Sequence, residues 1–313
     1  MNNSQETKKT AIVFAINGLY AFCTYVSILS LFKHSPQLAK QSDIYIYVCD
    51  ISDTDKKALR TLGNIKIIDY EIPVKIKQTE AVKSFSLASF ARYECFDMLN
   101  KYERIIYLDG DILVQKELLP VFDLAHNGIG MIKEKVNVQI FSKPIDGFDF
   151  STTFFNSGFI VLTNKLNVNY KAFRNFCYIS TAKYVEFLNL PDQAIINFAL
   201  QKYDIKPVQI SNTYNMPASM SGKFLKQAKI IHSTGHRKFW NYYYFDEWYK
   251  FYGEWIKNDG TPVSIRKDSK KYQYFCRKLR LDKKIFFQLC PDFFKMPIKA
   301  IRFTLKFILR MKY

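Results

Sequence analysis

The sequence predicts an α/β fold: a parallel sheet covered by helices on both faces, with a basic helical appendage at the C-terminus. Three observations lead there. Apolar runs of strand length alternate with helix-length segments over the first hundred-odd residues, one of those runs ends in a pair of carboxylates, and positive charge gathers at one end of the chain. The alternation is the signature of a parallel sheet, whose strands are buried on both faces and so read as continuous apolar stretches. With 313 residues, 48% of them hydrophobic and 17% aromatic, the chain buries a sizeable core and is not globally disordered.

The elements follow in order. Residues 11–16 (Ala-Ile-Val-Phe-Ala-Ile) read as a buried strand closed by an Asn17-Gly18 turn. Residues 20–34 form a mostly apolar helix that Pro36 stops, and residues 43–49 a second strand. A helix with Asp53 as its cap runs to Gly63, strand 65–70 follows, and helix 86–100 leads into strand 104–109. Beyond it, strands are expected at 128–133, 155–163 and 228–233, and helices at 170–182, 191–202 and 244–256. A composition shift near Asp259-Gly260-Thr261-Pro262 divides the chain into a globular domain, 1–260, and a tail, 261–313.

The strand at 104–109 carries the most specific signal, Arg104-Ile105-Ile106-Tyr107-Leu108-Asp109-Gly110-Asp111. Carboxylates spaced i, i+2 point to one side of a strand. At its end they reach a single hard cation, Mg²⁺ or Mn²⁺, whose open positions suit the oxygens of a diphosphate. A plain strand followed by a polar turn is the alternative for an isolated Asp-x-Asp. In parallel sheets ligands sit at the carboxyl ends of the strands, where both Asn17-Gly18 and the acid pair fall.

Charge and cysteine narrow the setting. The six cysteines (Cys23, Cys49, Cys95, Cys177, Cys276, Cys290) are scattered without a Cys-x-x-Cys pair, as expected of reduced thiols rather than a zinc site. Neither a signal peptide nor a bilayer-spanning run is visible, so a cytoplasmic protein is expected. Net charge is +18, of which residues 266–313, with 15 Lys/Arg and 3 Asp/Glu, carry +12, leaving +6 for residues 1–265.

Three later segments join the acid pair: Phe155-Asn156-Ser157-Gly158-Phe159, Leu190-Pro191-Asp192-Gln193, and His232-Ser233-Thr234-Gly235-His236-Arg237-Lys238-Phe239. The four together, in this order, resemble glycosyltransferase family 8 over roughly residues 11–256. The resemblance implies a GT-A (Rossmann-like) fold with a mixed, mostly parallel sheet. It also implies metal-dependent transfer of a hexose from a nucleotide-diphosphate sugar with retention of configuration, as in bacterial enzymes that extend lipopolysaccharide. By the same resemblance Ala15, Asn17, Tyr20, Arg92, Asp109, Asn156, Gly235 and Lys238 bind the donor. Asp192 contacts its sugar, and Gln193 lies beside the anomeric carbon. The family usually has acids and an asparagine just before the base-stacking tyrosine; here the stretch reads Asn17-Gly18-Leu19-Tyr20, so the base-contacting acids are missing. It also has proline where this chain has Phe239.

Each residue has a chemical rationale and an ordinary alternative. His232, at a strand end, adds an imidazole to Asp109 and Asp111, a mixed donor set that suits Mn²⁺, or is a satisfied core histidine. Lys238 supplies a point charge for a departing diphosphate, or is a solvated lysine. Gly235 lets backbone approach a phosphate. Asp192 after Pro191 also reads as a helix cap, and Arg92 as a helix-surface ion-pair partner.

In the tail, basic groups at Lys295, Lys299, Arg302, Lys306 and Arg310 step by 4, 3, 4 and 4, with apolar groups at Phe294, Ile298, Ile301, Leu305 and Ile308 between them. That is an amphipathic cationic helix, suited to an anionic membrane surface or to packing on the domain. The whole reads as a peripheral enzyme on the inner face of the cell membrane, with a saccharide or lipid-linked glycan acceptor and no nucleic-acid partner. Two other readings are a glycogenin-like self-glucosylating protein and a membrane-associated scaffold with a degenerate nucleotide site.

Overall fold

A computed structural model describes residues 9–134 and 139–265. Nearly all of them fall in one compact unit made of Met1–Phe239 and Phe245–Ser264. Of the tail read from the sequence, 261–313, residues 266–313 lie outside the described residues. Among the described residues no helix is long and apolar enough to cross a membrane.

Seven strands form the main sheet: β1 (Thr10–Asn17), β2 (Ser42–Cys49), β3 (Ile65–Asp69), β4 (Arg104–Leu108), β6 (Ile129–Lys133), β7 (Phe155–Thr163) and β8 (Val208–Ile210), in the order β3-β2-β1-β4-β7-β6-β8. β1 pairs in parallel with β2 and β4, and β2 with β3. β7 enters antiparallel between β4 and β6, so the sheet is parallel where β and α segments alternate in the sequence and mixed beyond. A small second sheet, β5-β10-β9, joins β5 (Ile112–Val114), β9 (Met216–Pro217) and β10 (Ile230–His232).

The core explains the strand assignments. Ala11, Val13, Ile105, Tyr107, Ile160 and Leu162, from three adjacent strands, are buried in one apolar cluster with the helices Tyr170–Tyr184 and Pro191–Lys202. Ile12, Phe14, Ile106 and Val161 alternate with them and are equally buried, which is why these strands read as unbroken apolar runs.

Expected and observed elements differ in instructive places. β7 and the helix Pro191–Lys202 coincide with their expected ranges. The helix after β2 is capped by Ser52, whose hydroxyl accepts the Asp55 N–H, so Asp53 is its first residue and not its cap. Pro36 does stop the first helix, but it then opens a short one, Pro36–Gln41, since its missing N–H costs nothing in a first turn. The single helix expected over 86–100 is a 3₁₀ segment (Leu87–Tyr93), one α-turn (Glu94–Asp97) and another 3₁₀ turn (Met98–Asn100). Ser86, with φ +68°, turns the chain into it.

Candidate active site

β4 stops at Leu108, and Asp109-Gly110-Asp111 turns the chain into β5. Two buried hydroxyls from the helix Ala21–His34 hold this turn. Ser27 Oγ lies 2.8 Å from the Gly110 carbonyl and 2.7 Å from that of Ile112, and accepts the Ile112 N–H at 3.2 Å. Thr24 presses from the same helix: a Cβ on Gly110 would come within 2.3 Å of its Oγ1 and 2.9 Å of Ile16 Cγ2, so a side chain there would have to push both aside. β10 runs antiparallel to β5 with His232 opposite Ile112, which brings a residue 121 positions away beside Asp111.

His232 Nε2 lies 3.0 Å from Asp111 Oδ1 and 3.7 Å from Asp109 Oδ2. The ligand atoms of all three residues lie within 4.8 Å of one another, a span that one divalent ion bridges. Their remaining polar atoms are tied back. Asp109 Oδ1 accepts from the Tyr107 hydroxyl at 3.0 Å and from Arg92 at 3.3 Å. Asp111 Oδ2 accepts from Lys238 and from Ser233 Oγ, and His232 Nδ1 meets Asn215 Oδ1 at 2.7 Å. One oxygen of each carboxylate and one ring nitrogen thus face a common point, and the oxygen–imidazole donor set fits Mn²⁺ or Mg²⁺. Gly158 makes room for it, since a Cβ there would stand 2.5 Å from Asp109 Oδ2.

Charge in this cluster is set by competition between burial and neighbours. Burial opposes ionisation of Asp111, yet His232 and Lys238 hold its carboxyl well below the usual carboxylate range. Burial would lower His232, but Asp111 first and Asp109 after it raise the imidazole above its ordinary value. Lys238 is likewise lowered by burial and raised more by Asp111.

A second group adjoins the first through Arg92. Arg92 is 7% exposed, and its guanidinium pairs with Asp192 Oδ2 at 2.7 Å. It also donates to Ser157 Oγ and to the Ser157 carbonyl at 2.8 and 3.0 Å, and lies 4.6 Å from the Tyr107 ring centroid. Ser157 donates in turn to Asp192 Oδ2 at 2.6 Å. Asp192 is therefore not a helix cap: Leu190 occupies that position without a side-chain bond. Burial raises the Asp192 carboxyl above its ordinary value, and Arg92 and Ser157 offset this only in part. At the next residue, Gln193 Oε1 accepts from Asn156 Nδ2 at 3.2 Å and from the Ser157 N–H at 3.3 Å, and its Nε2 donates to Glu134 at 3.2 Å.

The structure thus brings together Asp109, Asp111, His232, Lys238, Arg92, Asn156, Asp192 and Gln193. At the end of β1, Lys238 Nζ stands 5.9 Å from the Tyr20 ring centroid. Asn17 caps the short turn Gly18–Tyr20, its Oδ1 accepting the Leu19 N–H at 2.8 Å. Ala15 is half-buried on β1 beside Tyr47 of β2. Gly235 has a left-handed φ of +70° and open space where a Cβ would be.

Sequence reasoning did not find Glu134, Ser27 or Thr24. Glu134 stands alone at the end of β6 with no motif around it. The hydroxyls did leave a trace: Thr24, Ser27 and Ser30, three apart on an otherwise apolar helix, are fully buried together.

The sequence model of glycosyl transferase family 8 matches residues 11–243. The chain belongs to this family. As a glycosyl transferase family 8 protein it is a glycosyltransferase, and its sheet and flanking helices form a GT-A-like domain. The lipopolysaccharide glucosyltransferase WaaO of Escherichia coli K12 is 22% identical over 250 residues, covering 74% of this chain and 72% of WaaO. The lipopolysaccharide 1,3-galactosyltransferase of Salmonella typhimurium LT2 is 23% identical over 256 residues, covering 75% and 74%. Among solved structures, the galactosyltransferase LgtC in complex with donor and acceptor sugar analogs superposes with a TM-score of 0.55 at 17% identity, covering 84% of this chain and 99% of LgtC. The bifunctional glycosyltransferase WbbM gives a TM-score of 0.57 at 18% identity, covering 87% and 52%.

Two departures from the family pattern have structural accounts. Phe239, where the family has proline, is fully buried between Phe245 and Trp248, so ring contacts anchor the segment after Lys238. Gly18, where an acid is usual, lies so near the end of β2 that a Cβ would stand 2.2 Å from the Asp50 carbonyl oxygen.

Proposed function

We propose that this protein transfers a hexose, glucose or galactose, from a UDP-linked donor to a saccharide or lipid-linked acceptor in a bacterial surface glycan, with retention of configuration. The observation that carries the reading is the convergence of Asp109 Oδ2, Asp111 Oδ1 and His232 Nε2 on one point, beside Lys238 and the Arg92–Asp192 pair. The lipopolysaccharide hexosyltransferases among its relatives support the class of donor sugar and acceptor.

Asp109, Asp111 and His232 would hold the divalent ion. When bound, it would neutralise charge on the donor's diphosphate. As the bond between the anomeric carbon and the diphosphate oxygen breaks, negative charge grows on the leaving group and the sugar becomes oxocarbenium-like. Lys238 faces that growing charge. Arg92, Asp192 and Asn156 orient the sugar hydroxyls, and Gln193 sits beside the reacting carbon. Asp109, Asp111 and Asp192 are committed to cations, so none of the three is assigned as a covalent nucleophile. The acceptor oxygen then attacks from the face the diphosphate leaves, and its proton passes to the departing diphosphate oxygen.

Membrane attachment through residues 293–313 belongs to the same proposal and is supported by the spacing of the tail's charges, each basic side chain contributing roughly 1 kcal/mol at an anionic surface. It places the enzyme on the inner face of the cell membrane. Sedimentation with anionic vesicles tests it: charge reversal at Lys299, Arg302 and Lys306 should release the protein, and unchanged sedimentation would refute it.

The function itself is tested with purified protein, Mn²⁺ and a panel of nucleotide sugars. Consumption of UDP-glucose or UDP-galactose, abolished by Asp109→Ala and Asp111→Ala, is expected. Activity unaffected by both substitutions would reject the metal role, and no binding of any nucleotide would leave a scaffold as the better reading.

A further inference from the structure

Two backbone N–H groups in the interrupted part of β7 determine the polarity of the whole side-chain network. The Gly158 N–H can only donate, so the Asn156 atom 2.9 Å away is the amide oxygen. The other terminal atom of Asn156 is then its nitrogen, which agrees with its donation to Glu134 Oε2 at 3.0 Å. Asn156 Oδ1 also lies 2.9 Å from the Asn215 amide; two oxygens do not bond, so Asn215 presents nitrogen there. Its oxygen must therefore be the atom that meets His232 Nδ1 at 2.7 Å. An amide oxygen only accepts, so Nδ1 carries the hydrogen. Nε2, which faces Asp111 Oδ1 at 3.0 Å, is the nitrogen left for an ion. The Ser157 N–H fixes Gln193 in the same way, by donating to its Oε1.

We propose that Asn215 is a positioning residue, which passes the direction of the Gly158 N–H through Asn156 to His232 and so presents Nε2, rather than Nδ1, to the metal. The proposal rests on the reading that Asp109, Asp111 and His232 hold a divalent ion. It joins that site to Asn156, so that the residue assigned to the donor sugar and the imidazole assigned to the metal are set by one amide. It also accounts for the Asn-Ser-Gly interruption of an apolar strand: Gly158 admits the Asp109 carboxylate and leaves a backbone donor to fix the relay.

The test uses the full chain with ¹⁵N-labelled histidine, loaded with diamagnetic Cd²⁺. The His232 signals, identified by their absence from His232→Gln, should show a metal-bound Nε2 and a protonated Nδ1 protected from exchange. In Asn215→Leu that protection should disappear and Mn²⁺ affinity, measured without donor, should fall about 10–100-fold. Asn215→Asp, which keeps an acceptor toward Nδ1, should recover most of the affinity. A metal-bound Nδ1 in the wild-type protein overturns the proposal without any substitution, as does unchanged Mn²⁺ affinity in a folded Asn215→Leu. Failure of the wild-type protein to bind either ion overturns the metal reading and the proposal with it, whereas wild-type binding insensitive to Asn215 removes the proposal alone.

Discussion

β1 and β4 are neighbouring parallel strands, and their carboxyl ends are built in opposite ways. At the end of β4, every polar atom of Asp109, Asp111 and His232 that does not face the common point is tied to a partner, and Ser27, Thr24 and Gly158 fix the backbone beneath them. At the end of β1, Asn17 spends its amide oxygen on a local turn, Leu19 is 79% exposed and Tyr20 37% exposed. The first end is over-determined by buried groups and the second is open. The difference teaches where this chain varies from its family. The chemistry sits where a substitution would strand a buried charge, and in the departure from the family, Asn17-Gly18-Leu19, only Gly18 is buried, against the Asp50 backbone.

The comparison is broken most severely at β4. Asp111→Asn removes the carboxylate that His232 Nε2 and Lys238 share, and should lower the rate of sugar transfer about 10²–10³-fold. Loss of one partner from such a buried pairing should also cost about 3–5 kcal/mol of stability, read from denaturant unfolding. Next comes Gly158→Ala, whose Cβ would stand 2.5 Å from Asp109 Oδ2. The carboxylate must swing away, and Mn²⁺ affinity measured by titration should fall about 10–100-fold. An affinity within error of the wild type would mean that the β4 end is less constrained than its contacts imply.

Substitutions at the β1 end should act on donor binding more than on turnover. Tyr20→Ala should raise the donor KM by the worth of one base–aromatic stack, about 1–3 kcal/mol, with a smaller change in kcat. An equal fall in kcat would place Tyr20 in the chemical step and erase the contrast. Gly18→Ala sharpens it, because the obstruction there is backbone: the added Cβ would also stand 2.7 Å from Ile51 Cα, and a destabilisation of about 1–3 kcal/mol is expected.

The smallest effect is a control away from both ends. Glu117 accepts from the Ser35 hydroxyl and from the backbone N–H groups of Gln37, Leu118 and Leu119. Burial raises its carboxyl, but these donors outweigh burial and hold it below its ordinary 4.5. A lowered folded-state value stabilises the protein above the unfolded value, and that contribution is lost as pH falls through the folded one. Glu117→Gln should therefore melt below the wild type at neutral pH, the gap should close in acid, and transfer activity should stay unchanged.

Much of the fold was legible because burial on both faces leaves an unbroken apolar run. β1, β2, β4 and β7 are such runs, and β7 was found to the residue. The strands that were missed, β5, β8 and β9, are two or three residues long and carry no period to detect. Helix 86–100 was misjudged because helical propensity says nothing of Arg92, whose guanidinium is drawn inward by Asp192, Ser157 and Asp109 along a 3₁₀ path. In the site, the residues written in motifs were found and their supports were not. Glu134 and Asn215 reach Asn156 from positions 22 and 59 residues away, and no local pattern announces that.

The central claim is that two aspartates and one histidine share a divalent ion. Mn²⁺ titration with UDP present, followed by electron paramagnetic resonance, tests it most directly. The account predicts one bound Mn²⁺ per chain in the wild-type protein and none at the same concentrations in Asp111→Asn or His232→Ala. Equal binding by the wild type and both variants would contradict it.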